Sequence, residues 1–189
     1  LKHTPLYDWH KSHGAKTADF GGWDMPIEYN GVVAEHEVVR NGLGIFDVSH
    51  MGKLEVRGEN AVEWLNTLLT NDLEGLADSK AQYSMLLNGF GGVIDDLIVY
   101  RFRSDFVWIV PNASNASDVY SVLETFKPAN IELKNHHENM GIIAVQGPDS
   151  PQAIAALGLP EISTYMSAIQ AELEGEQIVL CRSGYTGEI

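Results

Sequence analysis

The segment 91–100 decides the fold, and it reads Gly91-Gly92-Val93-Ile94-Asp95-Asp96-Leu97-Ile98-Val99-Tyr100. Its apolar residues predict a buried β-strand, where carboxylates are unusual because an ionised group out of water is costly unless it is paired. Side chains alternate along a strand, so we expect Asp96, Ile98 and Tyr100 to share one face. A carboxylate and a phenol beside apolar surface would suit a flat, nitrogen-containing ligand. The alternative is that Asp96 only caps backbone amides at the end of the turn, and for Asp95 we expect that role alone.

A glycine-rich turn precedes this strand. The run Asn88-Gly89-Phe90-Gly91-Gly92 is typical of a β-hairpin turn, which makes residues 82–87 the expected partner strand. On that strand Tyr83 and Met85 alternate towards the face that carries Asp96, although simple core packing would explain them as well. The hairpin therefore predicts a carboxylate, aromatic rings and a thioether on one face of a sheet.

The remaining patterns predict a mixture of short helices and strands. We expect helices over 5–13, 32–39, 59–69, 117–126 and 149–157, and strands over 53–57, 106–110, 131–133, 141–146 and 177–181. Residues 44–52 are expected to form a strand that leads into a loop. Residues 19–26, rich in glycine and aromatic residues, are expected to form a loop. Strands outnumber helices and several pair as hairpins, so we predict an α+β fold of mainly antiparallel sheet with helices on one face.

Composition narrows the class of protein. The chain has 189 residues, of which 44% are hydrophobic and 20% charged, as in ordinary soluble domains. Residues 1–5 show no signal-peptide core, and no apolar run reaches the length of a membrane span. The single cysteine, Cys181, excludes an internal disulfide framework and favours a reducing compartment. A formal net charge of −14 argues against nucleic acid and against a membrane surface as partners.

Familiar catalytic and metal motifs do not explain the chain. Its seven histidines lack partners at metal-ligand spacing, so we expect no metal site. Neither a phosphate-binding glycine loop nor a nucleophile elbow occurs. The loop Ser49-His50-Met51 suits either binding groups at a strand end or a satisfied histidine beside a core methionine. Asn112 follows another expected strand, where an Asx turn is the default.

Seven segments, taken together, point to a family. They are Thr4-Pro5-Leu6-Tyr7, Asp19-Phe20-Gly21-Gly22-Trp23-Asp24-Met25-Pro26, Phe46-Asp47-Val48-Ser49-His50-Met51-Gly52, Thr70-Asn71-Asp72, Gly91-Gly92-Val93-Ile94-Asp95-Asp96-Leu97, Val145-Gln146-Gly147-Pro148 and Gly184-Tyr185-Thr186-Gly187-Glu188. In this order they resemble the T-protein family of the glycine cleavage system, which are tetrahydrofolate-dependent aminomethyltransferases. The resemblance extends over nearly the whole chain.

The resemblance implies a three-lobed fold with folate in a central channel. Residues 1–189 would supply the first lobe and part of the second lobe of this folate-binding fold. The C-terminal part, including a small β-barrel lobe, would lie beyond Ile189, and a chain ending there should bind folate weakly without it. That expectation agrees with the sequence, since a turn at 183–187 leads into what reads as a new strand.

The resemblance also implies functional residues. The essential carboxylate maps onto Asp96. The residues of the pterin pocket map onto Met51, Tyr83, Ile98, Tyr100, Asn112 and Tyr165, with Tyr185 nearby. The acidic composition is a departure, since folate is anionic, and a local basic patch of Arg40, Lys53 and Arg101 is one expected compensation.

The implied reaction takes an aminomethyl group from a lipoylated H-protein. Tetrahydrofolate is the co-substrate, and the products are 5,10-methylenetetrahydrofolate and ammonia. Two alternatives remain at this point: a folate-dependent demethylase or the folate domain of a dimethylglycine or sarcosine oxidoreductase, and a non-catalytic folate-binding module. The implied compartment is the bacterial cytoplasm, or the mitochondrial matrix in a eukaryote.

Overall fold

The computed structural model describes residues 1–188, which fall into two compact units. Unit 1 contains Leu1–His50, Glu138–Ser163 and the chain from Gln170 onward. Unit 2 contains Met51–His137 and Thr164–Ile169. All but one of the expected site residues belong to unit 2, and the exception is Tyr185.

Short helices alternate with antiparallel strands in both units. The helices are α1 (Tyr7–Ser12), α2 (Val32–Asn41), α3 (Ala61–Asn66), α4 (Ala116–Phe126) and α5 (Ser150–Ala156). The strands are β1 (Lys16–Phe20), β2 (Trp23–Glu28), β3 (Gly44–Asp47), β4 (Leu54–Arg57), β5 (Lys80–Leu87), β6 (Val93–Arg103), β7 (Phe106–Val110), β8 (Glu132–Asn135), β9 (Ile143–Gln146), β10 (Ser167–Leu173) and β11 (Glu176–Arg182). The ladders β1–β2, β3–β9, β4–β7, β4–β8, β5–β6 and β6–β7 are all antiparallel, which confirms the predicted α+β class.

Unit 2 is built on one twisted sheet with strand order β10-β5-β6-β7-β4-β8. Strand β10 enters this sheet where Ser167 lies opposite Lys80. We call one side of the sheet the core face; its buried side chains include Leu54, Leu97 and Ile109, packed in one cluster with residues of α3 and α4. Helices therefore cover one face, as the sequence predicted, and the opposite face carries Asp96, Ile98 and Tyr100.

The β5–β6 hairpin forms as expected, but its turn is capped by an unexpected residue. The side-chain Oδ1 of Asn88 accepts hydrogen bonds from the backbone amides of Phe90 and Gly92, each at 2.9 Å. Gly91 adopts a positive φ of 82°, a conformation that glycine takes without steric cost. Because Asn88 satisfies these amides, neither aspartate of β6 is needed to cap the turn.

Unit 1 contains two small antiparallel sheets, β1–β2 and β3–β9, with α1, α2 and α5. The prediction of a loop over 19–26 was wrong, because this segment is the centre of the β1–β2 hairpin. Gly21 and Gly22 form its turn with positive φ values of 60° and 84°. Trp23 and Met25 are buried. The apolar side chains of this segment therefore alternate inward along β2 instead of lying in a loop.

Strand β10 is the other element that the sequence analysis missed. It begins in unit 2 and ends in unit 1, where β11 follows it. Among the helices of residues 1–188, none combines the length and apolar character required to span a membrane.

Candidate functional site

The two neighbouring aspartates of β6 point to opposite faces of the unit 2 sheet. Asp95 lies on the core face with 2% of its surface exposed, whereas Asp96 is exposed on the opposite face. The predicted alternation is therefore confirmed, but the expectation that the strand buries Asp96 was wrong. Asp96 lies near the hairpin end of β6, where its cross-strand neighbour Met85 is itself 40% exposed.

We call the side opposite the core face the Asp96 face. The strand register pairs Tyr83 with Ile98 and places Tyr100 further along β6 on the same side. Tyr83 is 52% exposed, while Ile98 and Tyr100 are buried. The face is thus accessible around Asp96 and Tyr83 and closed around Tyr100, which gives it an open polar end and a closed aromatic end.

Asn112 connects the two aspartates. Its side-chain Nδ2 donates to Asp95 Oδ1 at 3.0 Å, to the Asp96 carbonyl at 2.8 Å and to Asp96 Oδ1 at 3.2 Å. Two amide hydrogens therefore serve three acceptors, and an amide oxygen placed there instead would face two carboxylates. No residue in the part of the chain that the structure describes donates to Asn112 Oδ1, so this oxygen is the atom left for a ligand donor.

Asp95 is buried but fully hydrogen-bonded. It accepts from the backbone N of Asn112 at 2.8 Å, from the Asn112 side chain, and from Asn115 Nδ2 at 2.7 Å. Asn115 is the N-cap residue of α4, and the partial positive charge of a helix N-terminus favours an anion nearby. These donors compensate for the cost of burying a carboxylate.

Tyr83 lies in an environment that favours the neutral phenol. Burial, then the nearby Tyr165 and the negative charge of Asp96, raise the pKa of Tyr83 above its usual value. Tyr165 is 61% exposed. The structure therefore brings Tyr83, Tyr165 and Asp96 within electrostatic reach of one another, and Tyr83 remains a hydrogen-bond donor at neutral pH.

Met51 begins the loop that leads into β4. The backbone N of Gly52 donates to the carbonyl of Pro111 at 2.9 Å, so the residue after Met51 contacts the residue before Asn112. A Cβ on Gly52 would lie 2.5 Å from Pro111 Cγ, which makes glycine necessary for this approach. The carbonyl of half-buried Met51 also accepts from Lys53 Nζ at 2.8 Å. Met51 and Asn112 are therefore each next in sequence to one of two residues whose backbones are hydrogen-bonded to each other.

A loop fixes β5 from its outer edge. Thr70 and Met85 exchange two hydrogen bonds, since Thr70 N donates to the Met85 carbonyl and Met85 N donates to Thr70 Oγ1, each at 3.1 Å. The side chain of Asn71 donates to the carbonyl of Tyr83 at 2.9 Å. The motif Thr70-Asn71-Asp72 therefore fixes the backbone of the two β5 residues that flank the open end of the Asp96 face.

Tyr185 belongs to unit 1. It is 49% exposed, and its backbone N donates to Gln146 Oε1 at 3.2 Å. Its expected place near the pocket remains a prediction.

The residues of the expected basic patch do not form a group of exposed, unpaired positive charges. Arg40 in unit 1 pairs with Glu188 at 2.7 Å. In unit 2, Arg101 pairs with Asp78 at 3.0 Å, and Lys53 is buried. Both guanidinium groups are thus neutralised by acidic partners.

Sequence reasoning missed two residues of this region. Trp108 lies opposite Tyr100 on the Asp96 face, and its buried Nε1 donates to no residue between 1 and 188. Asn115 completes the set of donors to Asp95. No sequence signal places Asn115 beside Asp95, and the place of Trp108 depends on strand register, which the sequence does not contain.

Two shallow depressions of the surface lie in unit 1 rather than around Asp96. One is at the end of α2, beside Val38 and Asn41, and the other lies beside Lys2 and Trp23. Within residues 1–188 no three His, Cys, Asp or Glu side chains are arranged to hold a metal ion.

Comparisons with known proteins agree with one another. The GCVT N-terminal domain family matches residues 6–189. An aminomethyltransferase of Frankia alni is 50% identical over 190 residues, which cover 100% of this chain and 52% of that protein. The glycine cleavage system aminomethyltransferase T from Bartonella henselae superposes with a TM-score of 0.91 at 36% identity, over 100% of this chain and 52% of that one.

A more distant structure shares only the fold. A heterotetrameric sarcosine oxidase from Corynebacterium sp. U-96 matches with a TM-score of 0.53 at 13% identity, over 80% of this chain and 77% of that chain. Because the match covers 52% of each of the two aminomethyltransferases above, this chain spans about half of their length.

Proposed function

This chain belongs to the GCVT N-terminal domain family, which is the aminomethyltransferase family of the glycine cleavage system, and we propose that the complete natural protein is a tetrahydrofolate-dependent aminomethyltransferase. It takes an aminomethyl group from a lipoylated H-protein and produces 5,10-methylenetetrahydrofolate and ammonia. Residues 1–189 form its folate-binding N-terminal region. The place of action is the bacterial cytoplasm, or the mitochondrial matrix in a eukaryote.

The observation that carries the proposal is the group formed by Asp96, Asn112 and Tyr83. Asp96 supplies an accessible carboxylate, and Tyr83 supplies a phenol that stays protonated. Asn112 supplies an amide oxygen that accepts no hydrogen bond from residues 1–188. A reduced pteridine presents several N–H donors on a flat ring. The group therefore offers acceptors for those donors and an aromatic side chain for the ring.

In this proposal Asp96 acts as the catalytic carboxylate. As an anion it accepts a hydrogen bond from an N–H of the folate and stabilises positive charge that develops as the carbon is transferred to nitrogen. Its exposure supports this role, because a carboxylate that must contact a substrate has to be reachable before the substrate binds.

The other residues bind and orient. Asn112 Oδ1 accepts from a pteridine N–H, Tyr83 and Tyr165 flank the ring, and Met51 adds a polarizable contact. Ile98 and Tyr100 form the closed end of the Asp96 face and limit how far the ring enters.

The donor separates this function from its alternatives. A folate-dependent demethylase or the folate domain of a dimethylglycine or sarcosine oxidoreductase would share the folate groups but accept a different donor. A folate-binding module without catalysis would bind tetrahydrofolate and turn over no donor.

The test supplies tetrahydrofolate to the complete natural protein with three donors in parallel: aminomethylated H-protein, dimethylglycine and sarcosine. We expect equal amounts of ammonia and 5,10-methylenetetrahydrofolate from the H-protein donor alone. Methyl transfer from dimethylglycine or sarcosine to tetrahydrofolate, giving 5-methyltetrahydrofolate and the demethylated amine without turnover of the H-protein donor, would replace the proposed reaction by the demethylase alternative. Folate binding without product from any donor would support the non-catalytic module.

A further inference from the structure

We propose that Asp95 is a positioning residue, which fixes the side-chain amide of Asn112 so that it holds Asp96 and presents its oxygen to the ligand. This inference rests on the proposed function for its catalytic consequence. It assigns a task to the aspartate for which the sequence suggested amide capping alone.

The geometry leaves Asn112 one orientation. Asp95 Oδ2 accepts from the backbone N of Asn112, and Asp95 Oδ1 accepts from its Nδ2. These two hydrogen bonds hold both the backbone and the side chain of Asn112 against the same carboxylate. Nδ2 also donates to the carbonyl and to Oδ1 of Asp96. Because Nδ2 faces both aspartates, Oδ1 at the other side of the amide points away from them.

The charge of Asp95 matters as well as its shape. A carboxylate offers only acceptors, whereas a neutral amide in its place would offer an acceptor and a donor. With Asp95→Asn, the new amide hydrogens would compete for acceptors, and the two orientations of Asn112 would become closer in energy. In the flipped orientation Asn112 presents Nδ2 to the ligand and turns an oxygen towards Asp96.

A purely structural role for Asp95 is the alternative. Asp95 also accepts from Asn115, the N-cap of α4, at 2.7 Å, so its loss would weaken the start of that helix in any case. The control must therefore destabilise α4 without touching Asn112. Val119→Ala does so, because Val119 is a residue of α4 whose side chain is fully buried in the core cluster.

The first arm of the test needs no folate. In isotope-labelled complete protein, the two Nδ2 hydrogens of Asn112 should give separate NMR signals that exchange slowly with solvent. We expect Asp95→Asn to abolish this protection and Val119→Ala to preserve it. Protection that survives Asp95→Asn, or is lost equally in both variants, overturns the inference whatever the protein binds.

The second arm is a double-mutant cycle on the dissociation constant of tetrahydrofolate. We expect Asp95→Asn to weaken binding about tenfold, as for loss of one good hydrogen bond, and Val119→Ala to leave binding unchanged. In the Asn112→Ala background the same Asp95→Asn change should have almost no effect, because the residue through which it acts is gone.

Additive effects in the cycle would show that Asp95 does not act through Asn112, and they overturn the inference while the proposed function stands. If the unsubstituted protein fails to bind tetrahydrofolate, the proposed function fails instead, and the exchange measurement alone decides the role of Asp95.

Discussion

The two faces of the β5–β6 hairpin differ in purpose although they share the same strands. The core face buries Leu97 and Val99 against α3 and α4, and the one carboxylate at its edge, Asp95, is fully hydrogen-bonded. The Asp96 face leaves a carboxylate and the phenol of Tyr83 accessible. The buried carboxylate of Asp95 is satisfied by protein donors, whereas the carboxylate of Asp96 and the phenol of Tyr83 are left accessible where a ligand is expected.

This difference predicts that substitutions on the two faces have separable effects. Changes on the Asp96 face should alter turnover and affinity with little effect on stability. Changes on the core face should do the reverse.

The largest effect is expected for Asp96→Asn, which keeps shape and removes charge. We expect turnover of the complete protein to fall about a thousandfold, because a positioned charge acts chiefly in the transition state. The dissociation constant of tetrahydrofolate and the melting temperature should change little. Steady-state kinetics and thermal unfolding provide the measurements.

Asp118→Asn is the matched control, since Asp118 is an exposed carboxylate on α4. It should leave turnover unchanged. Wild-type turnover in Asp96→Asn would remove this carboxylate from the mechanism.

On the core face, Leu97→Ala should lower the free energy of unfolding by about 3 kcal/mol, as expected for a leucine truncated in a packed core. Leu97 is 2% exposed. Val93→Ala on the same strand is the control, because Val93 is 59% exposed and should change stability by less than about 0.5 kcal/mol. Denaturant titration measures both. A marked loss of folate affinity in folded Leu97→Ala protein would contradict the separation of the faces.

In unit 1 the side chain of Asp47 is only 1% exposed, which sharpens the contrast with exposed Asp96. Thr4 Oγ1 donates to Asp47 Oδ2 at 2.6 Å, His10 Nε2 lies 2.9 Å from the same oxygen, and Ser49 N donates to Oδ1 at 2.9 Å. Burial opposes ionisation, but hydrogen bonds from Ser49, Thr4 and His10 outweigh it and lower the pKa of Asp47.

The pH dependence expected for Asp47→Asn follows from the lowered pKa of Asp47. A carboxylate with a lowered pKa stabilises the fold above its unfolded pKa, and this contribution is lost as the pH falls through the folded pKa. We expect Asp47→Asn to cost about 2 kcal/mol at neutral pH, and the difference from wild type should shrink below about pH 4. Glu37→Gln, at an exposed position of α2, should show no comparable difference. A cost that stays constant down to pH 2 would contradict the assignment.

The smallest effect is expected for Tyr83→Phe. The ring remains and only the hydroxyl is lost, so folate affinity should fall about threefold, in line with one modest hydrogen bond. Met85→Leu, which keeps an apolar side chain beside Asp96, should leave affinity almost unchanged. Calorimetric titration separates the two, and an equal loss in both would show that the hydroxyl makes no specific contact.

Local pattern predicted much of unit 2. The two-residue period of β6 correctly separated Asp95 from Asp96, and Asn88-Gly89-Phe90-Gly91-Gly92 correctly located a hairpin. The hairpin of β1 and β2 was missed because Gly21 and Gly22 lie among aromatic residues whose burial is decided by distant packing.

The surroundings of Asp95 could not be predicted for a related reason. Its donors Asn112 and Asn115 lie 17 and 20 residues away, and a single sequence contains no signal that joins them. The exposure of Asp96 likewise depends on which neighbours cover the hairpin end, rather than on the strand's own residues. Periodicity predicts the direction in which a side chain points but not what it meets there.

The most direct measurement of the central claim is a crystal structure of the complete natural protein with tetrahydrofolate bound. The account predicts a pteridine ring against Tyr83 on the Asp96 face, with N–H groups of the folate within hydrogen-bond distance of the Asp96 carboxylate and of Asn112 Oδ1. A folate bound elsewhere, with the Asp96 carboxylate facing bulk solvent, would contradict it.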